Sequence, residues 1–414
     1  MRVSAADVEA AADRLRSVVA PTPVERSPRL SARVGAQVVL KREDLQVVRS
    51  YKVRGAYNTI CQLDEAAKAR GVVCASAGNH AQGLAFACSA LGVTGRVFLP
   101  RTTPRQKRDR IAVLGGDCVE VLLVGDTYDD AAAAAYEDAA RTGATLVPAF
   151  DAPGTIAGQG TVVLEAFGQL TVVPDVVVLP VGGGGLLAGA LSWLGERHPG
   201  VRVVGVEPAG AACMAAALAT GEPVRLPVLD GFVDGAAVRR AGDLTFPVVR
   251  DSRAELVAVA EGRVCTEMLA LYQSDGIIAE PAGALAAAAL GDVVQVEPGS
   301  TVLVVLSGGN NDVSRYAEVV ERALVHEGRK HYFLVEFPQE PGALRNFLDD
   351  VLGPDDDITL FEYVKRNNRE TGPALVGIEL GAPEDLPALL ARMEAAPPDC
   401  QVVPPDSPLF GFLL

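Results

Sequence analysis

The sequence is short of positive charge, of aromatic rings and of uninterrupted apolar runs. Its 37 Lys and Arg stand against 52 Asp and Glu, for a formal net charge of -15. Phosphate backbones and anionic membrane surfaces are bound through basic patches, so neither nucleic acid nor a membrane is an expected partner. The most apolar stretch, Val172 to Leu191, is broken by Pro174, Asp175, Pro180 and Gly182 to Gly185. A membrane span needs roughly 20 apolar residues in succession, so this stretch reads as strand, turn and helix. The opening MRVSAADVEAAADRLRSV is a mixed-charge amphipathic helical pattern without the apolar core of a signal peptide, and a cytoplasmic location is expected. The seven cysteines are odd in number and have no CxxC spacing. Small buried hydrophobes are therefore expected rather than a disulfide framework or a metal site. Aromatics make up only 5% while Ala, Gly and Val abound, which suits helices lying close on a parallel sheet.

What is present is a succession of short Val/Leu runs separated by Ala-rich helical patterns. The runs are Val38–Leu40, Val72–Ala75, Arg96–Leu99, Cys118–Val121, Val176–Leu179, Val203–Val206 and Val302–Leu306. Helical segments such as Asp129 to Thr142 lie between them. Apolar runs without polar alternation belong to strands covered on both faces, hence to α/β crossovers. With 414 residues the chain exceeds one ordinary domain. The pattern changes near residue 330. There it predicts strand His331–Phe337, a Pro341-Gly342 turn, helix Ala343–Leu352, strand Asp357–Val364 and a polar turn Lys365–Gly372. Strand Ala374–Leu380, a helix near Glu384–Glu394 and an extended tail follow. This order suits a small ferredoxin-like α+β unit. The expected domains are 1–325 and 330–414, with the linker within 323–330.

Four segments carry the chemistry. The first is Ser50-Tyr51-Lys52-Val53-Arg54-Gly55-Ala56, at a helix start. Lysine occurs only at positions 41, 52, 68, 107, 330 and 365. At a helix N-terminus beside Arg54, the cationic form of Lys52 is disfavoured, and a neutral lysine can form a Schiff base. The second is Ser76-Ala77-Gly78-Asn79-His80-Ala81-Gln82-Gly83, directly after a strand. Its small residues and helix-start amides suit a carboxylate ligand. Asn79 can bond a phenolic oxygen without adding charge, and a packed or capping role is favoured for His80. The third is Gly182-Gly183-Gly184-Gly185-Leu186, whose backbone N–H groups can cradle a phosphate. A dinucleotide fingerprint fails here, because its sixth position is Leu187 and the acid at the expected distance, Glu207, precedes Pro208. The fourth is Ser307-Gly308-Gly309-Asn310, where a strand-end serine can meet a heteroaromatic nitrogen.

These four segments, in this order, resemble the fold-type-II pyridoxal-phosphate (PLP) enzymes, the family of the tryptophan synthase β chain and the serine/threonine dehydratases. The resemblance implies a two-subdomain catalytic domain with parallel sheets. It implies Lys52 as the Schiff-base lysine and Asn79 on the phenolic oxygen. Gly182, Gly183, Gly184, Gly185 and Leu186 then hold the phosphate, and Ser307 faces the pyridine nitrogen. Ser76, Ala77, Gly78 and His80 fall at the substrate. A serine there makes the ring a weaker electron sink than a carboxylate would, which suits β-elimination better than transamination. Racemases of the family place an acid/base serine where Ala77 stands. The first two segments look like those of the threonine dehydratases, with Tyr51 where Phe is usual. The implied reaction eliminates water and then ammonia from L-threonine, leaving 2-oxobutanoate. The freed Lys52 amine removes the Cα proton and the phosphate protonates the leaving hydroxyl.

Residues from about 330 on resemble the ACT-like regulatory domain of the biosynthetic dehydratases, through His331 to Leu344. The resemblance implies isoleucine as regulator, valine opposing it, and a homo-oligomer, dimer or tetramer. The alternatives are a catabolic threonine/serine dehydratase and a non-catalytic amino-acid sensor.

Overall fold

The computed structural model describes residues 2–364, 369–395, 399–405, 407, 409, 410 and 413. Contacts divide the chain into two compact units, Met1–Asp312 and Val313–Leu414. Helix Tyr316–His326 thus belongs to the second unit. The division falls ahead of the linker expected at 323–330, where that helix ends and strand Lys330–Pro338 begins.

The first unit holds two sheets. The larger orders its strands Val24–Arg26, Gln37–Arg42, Thr301–Leu306, Val176–Pro180, Arg202–Pro208 and Glu255–Val259. All are parallel except the first, which pairs antiparallel with Gln37–Arg42. The smaller is all parallel, in the order Val119–Leu123, Gly95–Leu99, Val72–Ala75 and Thr145–Leu146. The central strands are buried almost throughout, which is why they read as unbroken Val/Leu runs. The N-terminal pattern becomes helix Ala5–Leu15. Ser4 and Asp7 close a reciprocal capping box at its start, and Val8, Ala11 and Leu15 face the core.

The abundance of small residues has a local cause. Helices Pro153–Gln169 and Gly185–Arg197 cross where Gly160 meets Gly189. A Cβ added to Gly189 would sit 2.3 Å from the Ile156 carbonyl oxygen. Alanine at that crossing would push the helices apart, and with them the turn that precedes the second helix.

In the second unit, four antiparallel strands order as Asp357–Tyr363, Thr371–Glu379, Lys330–Pro338 and Asp399–Val403. Numbered along the chain this is 4-1-3-2, the ferredoxin-like arrangement. Helices Ala343–Val351 and Leu386–Ala395 contribute Phe347, Val351, Leu389 and Met393 to its core. Gly342 caps the first of these helices at φ 97°, a value that glycine alone adopts without strain. Of the expected polar turn at 365–372, positions 365–368 lie outside the described residues. All seven cysteines are free thiols. Among the described residues no helix is long and apolar enough to cross a membrane, and no group of three or more His, Cys, Asp or Glu is placed to hold a metal ion.

Candidate active site

In an open α/β sheet the loops at the carboxyl ends of the strands form the ligand crevice. Three of the four sequence segments leave such ends, after Val72–Ala75, Val176–Pro180 and Thr301–Leu306. They converge on a cavity of about 740 Å³. Lys52, Ser76, Ala77, Gly78, Asn79, His80, Gly182 to Gly185 and Leu186 all line it.

Lys52 opens helix Lys52–Cys61, and its Nζ donates to the Ala149 carbonyl at 3.2 Å. Gly83 lets the next motif's helix lie against it, because a Cβ there would touch the Lys52 carbonyl at 3.0 Å. Arg54 does not act on Lys52 as the sequence suggested. Its guanidinium forks onto Glu43 at 2.7 and 2.9 Å and onto Glu165 at 3.0 Å, so its charge is taken up inside the fold.

The glycine turn is shaped for a backbone-only cradle. Cβ atoms added to Gly183, Gly184 and Gly185 would collide with Phe150, Met214 and Phe150 at 2.3, 2.5 and 2.9 Å. Gly184 has φ 95°, and helix Gly185–Arg197 begins directly after it. Among the described residues the N–H groups of Gly182 to Leu186 have no hydrogen-bond partner. Five free amides at the start of a long helix suit a phosphate dianion. The turn is fastened from behind. Thr245 Oγ1 donates to the Gly183 carbonyl at 2.6 Å, and the Asp151 carboxylate accepts from the N–H groups of Asp243, Leu244 and Thr245.

The second motif supplies more free donors. The N–H groups of Ala77, Asn79 and His80 have no partner among the described residues, while Gly78 N–H donates to Ser76 Oγ at 3.3 Å. His80 is buried, and its Nε2 meets the Val147 carbonyl at 2.7 Å. Burial, with the Lys52 charge behind it, pulls the imidazole down to about 4. The ring is therefore neutral, donates from Nε2, and keeps an unpaired acceptor at Nδ1.

Ser307 is the one expected site residue that does not line the cavity. It is buried, its Oγ donates to the Ala282 carbonyl at 3.1 Å, and its own carbonyl accepts from Tyr51 N–H at 3.2 Å. In this rotamer its single hydrogen is committed, so toward a second partner the hydroxyl can only accept.

Two lining residues bond to Asn79: Glu280, which lies outside the four sequence segments, and Asn310, which closes the fourth and had no role assigned to it. Glu280 is buried at the start of helix Pro281–Ala288 and accepts from Asn79 Nδ2 at 2.5 Å. Asn310 Nδ2 donates to Asn79 Oδ1 at 2.6 Å. The signal for Glu280 was an acid inside the apolar run Ile277-Ile278-Ala279-Glu280-Pro281-Ala282. It reads equally as an ordinary helix cap.

Glu207, the acid a dinucleotide site would use, takes no part in the cavity. It is buried, and its two oxygens accept from the N–H groups of Met214 and Ala215 at 2.7 and 2.8 Å. Desolvation raises its carboxyl from the ordinary 4.5 to about 7, against the pull of those two amides. The folded chain then binds a proton that the unfolded chain has released, so this group makes stability fall as pH rises from about 4.5 to about 7. Glu207→Gln should remove that slope. Urea unfolding at about pH 5 and about pH 8 should show the variant losing less stability than wild type between the two. Equal losses would contradict a raised carboxyl.

The family described as "Pyridoxal-phosphate dependent enzyme" matches residues 15–308, and "C-terminal regulatory domain of Threonine dehydratase" matches residues 321–413. A biosynthetic L-threonine dehydratase of Mycobacterium tuberculosis is 63% identical over 414 residues, covering all of this chain and 96% of the relative. Among solved structures, the processed form of threonine deaminase isoform 2 from Solanum lycopersicum is 37% identical with a TM-score of 0.72, over 77% of this chain and 92% of that one. Maize serine racemase has the same TM-score of 0.72 at 30% identity, over 79% of this chain and 99% of that one.

Proposed function

Because the chain belongs to the pyridoxal-phosphate dependent enzymes, in their biosynthetic L-threonine dehydratase branch, we propose that its cavity converts L-threonine to 2-oxobutanoate and ammonia with Lys52 as the catalytic residue. One observation carries the reading. A lysine amine, a turn of unpaired backbone amides and a second set of unpaired amides open onto a single cavity.

The residues present fit the cofactor. The amides of Gly182 to Leu186 would hold its phosphate, the Asn79 carboxamide its phenolic oxygen, and Lys52 its aldehyde carbon. Ser307, whose carbonyl accepts from the N–H of the lining residue Tyr51, would donate to the ring nitrogen once its hydroxyl hydrogen turns from the Ala282 carbonyl. When bound, pyridoxal phosphate supplies an electron sink that makes the Cα–H of an attached amino acid acidic. The chain does the rest. The amides of Ala77, Asn79 and His80 orient the substrate carboxylate, with Ser76 and Gly78 shaping that loop. Lys52 Nζ takes the proton from Cα. Ala77 presents only a methyl group to the cavity, so this position offers no second acid to return a proton from the other side. This separates elimination from racemisation on a shared fold.

The matched C-terminal family supports an amino-acid-responsive second unit. Isoleucine is the inhibitor in this reading, valine opposes it, and the protein works as a homo-oligomer. The word "biosynthetic" in the relatives' names favours this over a catabolic role. The test is 2-oxobutanoate formation from threonine, titrated with isoleucine. Turnover should fall sigmoidally with isoleucine and recover with valine, as for a coupling of about 1–3 kcal/mol between sites. No 2-oxobutanoate from threonine would overturn the reaction. Full activity in saturating isoleucine would overturn the regulation alone.

A further inference from the structure

Asn79 is held at both ends of its carboxamide, and the orientation follows from one backbone carbonyl. The Val48 carbonyl can only accept, so the Asn310 side chain must show it a nitrogen, and Nδ2 lies 2.8 Å away. The second hydrogen of that nitrogen reaches Asn79 at 2.6 Å, so Asn79 must answer with its oxygen. Its nitrogen is thereby turned to Glu280 Oε1 at 2.5 Å, and one N–H remains for the cavity that all three residues line. Without this chain a carboxamide could present either end, because its two ends are nearly the same size.

We propose that Asn310 and Glu280 are positioning residues that lock the Asn79 carboxamide with its N–H, not its oxygen, toward the phenolic oxygen of the cofactor. This rests on the pyridoxal-phosphate reading above. The fold makes room for the arrangement at Gly308, where a Cβ would fall 2.0 Å from Glu280 Oε1. The charge state of Glu280 suits the task. Desolvation, joined by the nearby Asp234 charge, raises its carboxyl to about 8. The Asn79 hydrogen bond and the Lys107 and Lys52 charges act the other way. A neutral acid accepts the Asn79 hydrogen bond without placing a negative charge beside an anionic ligand oxygen.

The experiment uses the full-length protein stripped of cofactor and titrated with pyridoxal phosphate. The visible absorbance of the lysine-bound cofactor gives Kd, and circular dichroism checks folding. Asn310→Asp sets an oxygen against both the Val48 carbonyl and Asn79 Oδ1, and should turn the Asn79 amide around. Kd should rise about tenfold, the scale of one hydrogen bond. Glu280→Leu should lose a similar factor. Glu280→Gln keeps a neutral acceptor and should stay within about twofold of wild type. Wild type should lose affinity as pH passes about 8, and the same variant should lack that loss. That rescue and that pH profile are not expected of residues that merely support the fold. If folded Asn310→Asp and Glu280→Leu both bind like wild type, the proposal is overturned. The same holds if Glu280→Gln is as weak as Glu280→Leu or keeps the wild-type pH profile. A result in which one residue matters and the other does not removes the silent one. If wild type itself shows no visible band with pyridoxal phosphate, it is the cofactor reading that has failed.

Discussion

Lys52→Ala should lower threonine turnover by at least about 10⁴-fold and abolish the visible absorbance of the cofactor-loaded protein. Two functions leave with one nitrogen: the covalent tether to the cofactor and the base at Cα. General-base loss alone removes roughly 10²–10⁴-fold, and loss of covalent attachment adds to it. The phosphate cradle is built from the amides of Gly182 to Leu186 and is untouched by the change. The variant should therefore still bind pyridoxal phosphate, but without the lysine-bound spectrum. Lys52→Arg separates the explanations. It keeps the positive charge and the reach but cannot give up a proton near neutral pH. It should be as inactive as the alanine variant. Either variant retaining more than about a hundredth of wild-type turnover would remove Lys52 from the mechanism.

The sequence disclosed this site as far as local chemistry reaches. Lys52 stands at a helix start, the tetraglycine run between strand and helix, and the Ser76–Gly83 segment after a strand, as their neighbours implied. These features are local, since each depends on residues within one turn or one strand. Glu280 and Asn310 were not legible because their roles are distant ones. The Asn79–Glu280 contact joins residues 201 apart in sequence, and the Asn79–Asn310 contact joins residues 231 apart. Neither residue type is unusual where it stands.

The strands divide in the same way. In the first unit every strand with neighbours on both sides was read from its apolar run, and so was one edge strand, Val119–Leu123, which keeps four apolar residues in five. The three strands of that unit that were not read, Val24–Arg26, Thr145–Leu146 and Glu255–Val259, all lie at sheet edges. The first two are very short and the third is half exposed, so their apolar signature dissolves into the loop or helix beside it. Arg54 shows the complementary error. Proximity in sequence placed its charge beside Lys52, whereas a step of two residues along the helix turns the side chain by about 200° and into the core.

That core position makes Arg54→Ala the most destabilising single change expected in the first unit. Arg54 and Glu43 are almost wholly buried, and Lys41 Nζ closes the cluster onto Glu165 at 2.5 Å and onto the Thr22 carbonyl at 2.5 Å. Two cations and two carboxylates balance there. Taking out Arg54 leaves Lys41 alone against Glu43 and Glu165, and one buried carboxylate loses its partner. Breaking a buried pair from one side costs about 3–5 kcal/mol, against a total stability of roughly 5–15 kcal/mol for a domain. Arg54→Met fills most of the volume without the charge, so it tells cavity from charge. If charge dominates, the Met and Ala variants should be about equally destabilised in urea unfolding. Adding Glu43→Gln to Arg54→Met should then restore part of the loss, because the orphaned carboxylate is gone. Glu165 gives an independent reading. Burial alone would raise its carboxyl, yet Arg54 and Lys41 together hold it below its usual range. In the intact protein that contribution is present above the ordinary carboxylate range and is lost as pH falls through the lowered value. Without Arg54 the acid limb of the stability profile should move to higher pH. An Arg54→Met protein within about 1 kcal/mol of wild type, with an unmoved acid limb, would show that the helix carrying Lys52 is positioned by packing and not by this ion cluster.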